Sequence, residues 1–504
     1  MTPFLALPTE LATAIVTHLN VSDLLRLAKT CKNLHAFAQP FLLDTVILAY
    51  NPTALPYQGR PFASLLRLLV RDNGAATFLR HLKLVCPDKD EILAGPWSFD
   101  RNEWWDENRL LFEGVLEDLH MPDRDHWRHA LRDGDTRALI ALVLAYCVEL
   151  ESLEVASNIL FLRDGAGDNW HLRMFRHLLG VPSLPTASLK KLRCVMISTE
   201  QWNDENNSVS PGDISWWYRP EFKAEVMRGR TSSSEEWGRN TVQWKQAGEG
   251  ENLDLALLLF YLPALEELSL PLPSSKKEAD FQYAAGVGFG VDDEFWPLST
   301  PPRASRLKTL RIRLQYAPEA ALETILAAMS ALRILHIELN QPSTTTPIDC
   351  PAIQRALRHV ESTLEELKLT TDLFADEACD VQNLGNIVEG RIGGGDGGLS
   401  AGFPALKSLH TSLPLLFGQE ASGRYVLSPG DTDWWSDDDE DGDVKGIKSV
   451  DDPYHDMMLV AAAELAGLLP RGLEVLTIND DLWFYDALPA WSGVSGRSGF
   501  SWRL

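Results

Sequence analysis

The chain of 504 residues holds twelve histidines, six cysteines and 71 carboxylates, so spacing decides whether acid–base, nucleophilic or metal chemistry is assembled from them. No His-Glu-x-x-His sets two imidazoles on one helix turn, and no Cys/His group has zinc-ligand spacing. The paired carboxylates Glu266-Glu267 and Glu365-Glu366 are sequence neighbours, which an extended backbone sends to opposite faces, away from a shared acid–base site. Gly286-Val287-Gly288-Phe289-Gly290 lacks dinucleotide-binding spacing, and Gly393-Gly394-Gly395-Asp396-Gly397-Gly398 lacks the Lys-Ser/Thr ending of a phosphate loop, so both read as loops. Cys31, Cys86, Cys147, Cys194, Cys350 and Cys379 are scattered without a CxxC, several on apolar segments, as buried thiols in a reducing compartment would be. Ser436 stands before Asp437-Asp438-Asp439-Glu440-Asp441 and resembles an acidic-directed kinase site, within a solvated acidic loop over 431–443. The expectation is a chain that is not an enzyme, with no catalytic residue, metal or cofactor, and that works by binding.

What must be positioned is therefore a surface, and the elements that carry it repeat. In Leu332-Arg333-Ile334-Leu335-His336-Ile337-Glu338-Leu339-Asn340, extended-chain alternation points Leu335, Ile337 and Leu339 one way and Ile334, His336 and Glu338 the other. Ala321, Leu322, Ile325, Leu326 and Met329 precede it at helical steps, so one helix feeds one strand. The same phrase returns as Leu79/Leu82/Leu84, Leu150/Leu153/Val155, Leu189/Leu192/Cys194, Leu265/Leu268/Leu270, Leu307/Leu310/Ile312, Leu364/Leu367/Leu369, Leu406/Leu409/Thr411 and Leu473/Leu476/Ile478. This pattern resembles the leucine-rich repeat family, whose units stack a strand and a helix into a curved solenoid. The resemblance implies an α/β fold from about residue 75 onward. Spacings of about 25 to 75 residues, against the family's regular 20 to 29, predict an irregular solenoid with long insertions.

The first fifty residues read as a separate unit of three helices. Leu11, Ile15 and Leu19 follow one another at i, i+4 after Leu7-Pro8; a second helix capped by Ser22 carries Leu24, Leu27 and Cys31; Leu34, Phe37 and Phe41 form a third before the strand-like Thr45-Val46-Ile47-Leu48. So short a unit has more apolar surface than its own core can use. Leu7-Pro8-Thr9-Glu10-Leu11, the aliphatics Ile15 and Leu19, Asp23-Leu24-Leu25-Arg26-Leu27 and Cys31-Lys32 resemble the F-box motif, with Leu34 where many members carry an aromatic. The resemblance implies docking to a Skp-type adaptor, and through it a cullin, by Leu7, Pro8, Leu11, Ile15, Leu19, Leu24, Leu27, Cys31 and Leu34. A polar-faced cap on the solenoid is the other reading.

The remainder sorts into a linker and helix over 51–75 and a repeat domain over 76–504, with loop insertions near 88–135, 200–250, 272–303, 385–402 and 418–452. Arg109 to Leu119 within the first insertion is expected helical, as are Phe62 to Leu69, Arg137 to Cys147 and His455 to Leu469, and the tail from Trp483 closes the array. The tryptophan doublets Trp104-Trp105, Trp216-Trp217 and Trp434-Trp435 read as packing anchors ahead of contact residues. A net charge of -25 opposes nucleic-acid binding, and neither a leader nor a spanning segment is legible, so a soluble cytoplasmic or nuclear protein is expected.

Outward strand residues line the concave face of such a fold. Those expected to contact a protein substrate are Lys191, Arg193, Glu267, Thr309, Arg311, Arg313, His336, Glu338, Lys368 and His410. Arg311 and Arg313 beside Lys191 and Arg193 form a basic zone suited to an acidic or phosphorylated peptide. The architecture resembles the large F-box plus leucine-rich-repeat families common in filamentous fungi. That resemblance implies the substrate-recognition subunit of an SCF-type cullin-RING ubiquitin ligase; the alternative is an adaptor-independent interaction scaffold.

Overall fold

The computed structural model describes residues 7–49, 59–71, 73–85, 101–156, 159, 169–180, 189–198, 249–272, 296–298, 300–315, 319–341, 348–373, 388–389, 392, 402–412, 415, 469–479 and 500–503. Expectations for the linker prolines before Gly59, both glycine runs, Trp216-Trp217, Trp434-Trp435, the acidic loop with Ser436 and the helix over His455 to Leu468 lie outside the described residues.

Three helices open the chain: α1 (Thr9–Val16), α2 (Val21–Ala28) and α3 (Lys32–Asp44), the last running directly into β1 (Thr45–Ala49). α4 (Gly59–Arg71) and α5 (Asn73–Phe78) precede β2 (His81–Val85); α6 (Arg101–Asp118), α7 (Arg124–Arg132) and α8 (Thr136–Tyr146) precede β3 (Ser152–Ala156). α9 (Trp170–Gly180) leads to β4 (Cys194–Ser198), and α10 (Glu249–Leu258) to β5 (Glu267–Leu272). Then come β6 (Thr309–Gln315), α11 (Glu319–Ala327), β7 (Ile334–Gln341), β8 (Ile348–Asp349), α12 (Cys350–Leu357), β9 (Glu366–Leu373), β10 (Val388–Glu389), β11 (Ser408–Ser412), β12 (Val475–Asn479) and β13 (Phe500–Arg503).

Eleven strands form one sheet in the order β1-β2-β3-β4-β5-β6-β7-β9-β11-β12-β13, while β8 and β10 pair separately. Every neighbour is parallel except β13, which runs antiparallel to β12. The strands are thus laid down in chain order and in one direction. A tail strand closes the far end, as the sequence predicts. Parallel neighbours require a crossover, and here the crossovers contain the helices.

The register shows why. Leu82, Leu153, Val195, Leu268, Leu310, Leu335, Leu367 and Leu409 align across successive strands, and each is at most 1 % exposed. The leucine three residues earlier in each phrase, from Leu79 to Leu473, is also buried. The cluster they join runs from Phe62 to Leu476 and takes in Leu66, Leu142, Phe175, Leu258, Leu326 and Ile353 from the helices. One sheet face is buried under helices. The other carries the alternate residues.

Two expectations are corrected here. In the fourth copy the phrase is Leu192/Val195/Ile197, not Leu189/Leu192/Cys194: Leu153 pairs with Val195, and Leu189 sits in the preceding turn at φ 61. Cys194 therefore faces outward, and Lys191 and Arg193 precede the strand instead of lying on it. The region 88–135 is also no simple loop, because α6 begins at Arg101 and α7 follows it. Trp104, Phe112, Val115, Leu116 and Trp127 from these helices enter the common core, and the Trp104 indole N–H donates to the Leu131 carbonyl at 2.9 Å. Asp135 holds this layer together by accepting from the Arg137 backbone N–H at 3.0 Å, pairing with its guanidinium and accepting from Trp170 Nε1 at 2.8 Å. The tryptophans of α6, α7 and α9 are packing anchors.

The rim just before the strands holds an alternation of charge. Asp44, Arg80, Glu151, Arg193, Glu266, Lys308, Arg333, Glu365, Lys407 and Glu474 occupy one position, each backbone N–H from Arg80 onward donating to the preceding rim carbonyl at 2.7–3.1 Å. Glu266 bridges Arg193 (2.7 Å) and Lys308 (2.8 Å), and Glu365 bridges Arg333 (3.5 Å) and Lys407 (3.2 Å). Hydrogen bonding from Lys308, and then from Arg193, holds the Glu266 carboxyl below the ordinary glutamate value, against the opposing cost of desolvation. A carboxyl lowered by folding stabilises above its unfolded pKa, and that contribution is lost as pH falls through the folded value. Glu266→Gln is expected to cost about 1 kcal/mol at pH 7 and to flatten the fall of the melting temperature below about pH 4.5, read by circular dichroism across a pH series.

Candidate interaction surfaces

The N-terminal helices have a small core of their own. Ala12 and Val16 on α1, Leu24 and Ala28 on α2, and Leu34 and Ala38 on α3 are buried, and α2 packs on α3. α2 starts at Val21, with Asn20 as its cap accepting from the Asp23 backbone N–H at 2.9 Å, two residues earlier than the Ser22 cap expected from sequence. Asn20 caps as well as serine does, so the side-chain chemistry left both positions open.

Burial divides the nine expected adaptor contacts. Leu7, Pro8, Leu11, Ile15 and Cys31 are exposed, and Leu19 and Leu27 are half-buried. Leu24 and Leu34 are each only 5 % exposed, so they are corrected to buried residues of α2 and α3, which pack on one another. Two positions missed from sequence replace them: Val21 and Leu25 are 66 % and 45 % exposed on the outward side of α2. The signal was a helical offset, since Val21 and Leu25 stand four apart, one step round from Leu24 and Ala28. The result is two exposed aliphatic stripes on so small a unit, Leu7, Leu11 and Ile15 at steps of four along and just before α1, and Val21 and Leu25 on α2. Surfaces of this kind mark protein interaction sites.

The second surface is the face of the sheet that carries the alternate residues, half-buried from β6 to β11. Across β6, β7, β9 and β11 the register sets Arg311, His336, Lys368 and His410 side by side. Neighbouring rows carry Thr309, Ile334, Glu366 and Ser408 on one side and Arg313, Glu338 and Thr370 on the other. His336 Nε2 lies 2.7 Å from Glu366, and Arg313 lies 3.4 Å from Glu338. Glu267 is exposed on β5, while Thr309 is 6 % exposed and sits in the packed part of its row. Desolvation holds both His336 and His410 below the ordinary histidine value, Glu366 opposing it and Lys368 adding to it; Arg311 adds to it at His336.

The basic zone expected from sequence is redrawn. Lys191 pairs with Glu149 and Arg193 with Glu266 on the rim, so neither joins Arg311 and Arg313 on the face. Lys368, with His336 and His410, takes their place. Gly398-Leu399-Ser400-Ala401-Gly402 has nucleophile-turn spacing that the sequence reading passed over, and all of it but Gly402 lies outside the described residues. Among the described residues no group of three or more His, Cys, Asp or Glu side chains could hold a metal, and no helix is long and apolar enough to cross a membrane. Cys147 and Cys194 are free, their thiols pushed up to about 12 and about 11, in each case chiefly by burial.

Residues 4–46 match the family described as F-box-like, so the three opening helices are an F-box-like domain. No curated protein matches the chain. The family match and the exposed apolar surface fall on the same residues.

Because Leu24 and Leu34 hold the domain together while Leu11 and Ile15 face outward, truncations should separate them. Leu24→Ala or Leu34→Ala is expected to cost about 2–4 kcal/mol, and Leu11→Ala or Ile15→Ala about 0.5 kcal/mol or less, by denaturant unfolding of the full chain. On the sheet face, a histidine pKa lowered by folding means that the unfolded chain binds more protons, so stability falls as pH drops through the ordinary value of 6.5. His336→Gln with His410→Gln is expected to reduce the decline in melting temperature between pH 7.5 and 5.5, about one unit either side of that value.

Proposed function

We propose that this chain is the substrate-recognition subunit of an SCF-type cullin-RING E3 ubiquitin ligase. The F-box-like domain holds a Skp-type adaptor, and the face of the parallel sheet, read as irregular leucine-rich repeats of the kind found with F-boxes in filamentous fungi, holds a protein substrate. The chain is not the enzyme. It contributes proximity, raising the effective concentration of substrate lysines at a catalytic subunit recruited through the cullin. Such work belongs to the cytoplasm or nucleus and needs neither nucleic acid nor membrane.

The observation that carries this reading is the exposed surface of Leu7, Leu11, Ile15, Val21 and Leu25 within the matched region. One feature favours an adaptor-independent scaffold instead: α3 runs into β1, which pairs with β2, so the helices do stand at the end of the sheet as a cap would. A cap, however, needs a polar outer face. Leu11 at 55 % and Ile15 at 45 % exposure are the opposite.

Full-length chain with Leu11→Asp and Ile15→Asp should lose co-purification of adaptor and cullin from cell extract at unchanged melting temperature, a loss of affinity of at least about a hundredfold from two charges placed in an apolar contact. No adaptor recovered with the wild-type chain, while other partners bind wild-type and variant chains equally, would favour the scaffold; adaptor recovered equally with both would overturn this surface as the adaptor contact.

A further inference from the structure

Charged residues of the sheet are paired almost everywhere along its edge and rows. On the rim, Glu266 and Glu365 each serve two cations. On the outward row, Lys83 meets Glu154 across β2 and β3 at 2.5 Å. The same row then passes through Met196 and Ser269 and reaches Arg311, His336, Lys368 and His410 with no carboxylate among them.

Arg311 stands out in this stretch. It has no ion pair or hydrogen bond among the described residues, and its Nε is buried and unsatisfied. His336 Nδ1, on the next strand, is likewise buried without a partner, while its Nε2 is occupied by Glu366. An unmet donor inside a partly buried site costs free energy that a ligand acceptor recovers. Arginine adds a planar fork that takes a carboxylate or phosphate two-pronged.

We infer that this row binds an acidic segment of a protein substrate, its carboxylates or a phosphate reaching Arg311 and Lys368 across the strands. The inference rests on the receptor reading for the word substrate, but the site stands on its own geometry. Parallel strands lie about 4.8 Å apart, which puts Arg311 and Lys368 about 10 Å apart with His336 between them. Alternate side chains of an extended peptide repeat about every 7 Å, so two acidic side chains on one peptide face reach both cations. In a chain of net charge -25, such a segment is repelled from most of the surface, which favours this row over other binding positions.

The test is fluorescence anisotropy of the full-length chain with three labelled decapeptides: alternating Glu/Ser, the same with phosphoserine replacing two glutamates, and alternating Gln/Ser. The Glu/Ser peptide is expected to bind at least about tenfold tighter than Gln/Ser, with the gap narrowing as salt is raised. Arg311→Gln with Lys368→Gln should remove the gap, Arg311→Lys should keep part of it, and Lys191→Gln with Arg193→Gln on the rim should leave it intact, all at unchanged circular dichroism. A phosphopeptide tighter than Glu/Ser names phosphate as the preferred group, and equal binding names carboxylate. Equal affinity for Glu/Ser and Gln/Ser, equal loss in the rim variant, or equal competition by an oligonucleotide of the same charge would overturn the site. Adaptor capture by the same samples reports on the receptor reading separately: peptide bound without adaptor retains the site and removes the ligase role.

Discussion

The structure depends on burying one face of a parallel sheet. A parallel pair cannot be closed by a tight turn, so every strand must be followed by a crossover. Where a crossover supplies a helix, as those before β2, β3, β4, β5, β7 and β9 do, strand and helix bury their apolar sides against the units before and after them. The columns through Leu79 to Leu473 and through Leu82 to Leu409 are that constraint made visible, each residue continuing the packing of its neighbour. Side chains alternate with a period of two, so a slip of one residue in any strand would send its leucines to the open face and its polar residues into the core. Register is consequently the best-determined property of this fold, and any surface built on the open face inherits its precision.

The rim of alternating charge follows from that register. Once the leucines align, the residue after the first leucine of each phrase meets its counterpart on the next strand, backbone hydrogen-bonded and with side chains within reach. Five carboxylates (Asp44, Glu151, Glu266, Glu365, Glu474) stand against five cations (Arg80, Arg193, Lys308, Arg333, Lys407). Lys308 and Arg333 are the adjacent like pair, and they turn away from one another, Lys308 to Glu266 and Arg333 to Glu365. Like charges directly opposite cost energy, and opposite charges return a fraction of a kcal/mol each. The contribution of the rim is therefore less to total stability than to excluding misaligned strands.

Much of this was legible because it is local. Nine phrases located nine strands, and eight were read in the right frame, from nothing more than leucine spacing and a period of two. The ninth failed for an identifiable reason: Leu189, Leu192 and Cys194 satisfy the pattern as well as Leu192, Val195 and Ile197 do, and only pairing with Leu153 chooses between them. The rim charges were present in the sequence too, one after the first leucine of every phrase, yet a single phrase gives no reason to notice them. Arg109 to Leu119 was legible as helix, but the first two turns of α6 were hidden by charge, since Glu103, Asp106 and Glu107 surround the buried Trp104. In the F-box-like domain the motif located the helices and could not rank their faces, because leucines of core and surface lie one residue apart.

The two surfaces also differ in what makes them available. Around Leu11 and Ile15 the domain is too small to cover its own aliphatic side chains, so exposure there is a consequence of size and persists in any fold of these helices. Around Arg311 the side chains are half-buried, and Arg311 itself has no counter-charge among the described residues. The first surface gains on binding by removing apolar area from water, a term that is insensitive to salt; the second gains by satisfying donors already desolvated, a term that salt weakens. A protein carrying both can keep one partner bound through changes of ionic conditions and phosphorylation while the other exchanges. That division requires the two surfaces to lie on different elements, and the placement of Leu11 and Ile15 on α1 and of Arg311 on β6 meets the requirement.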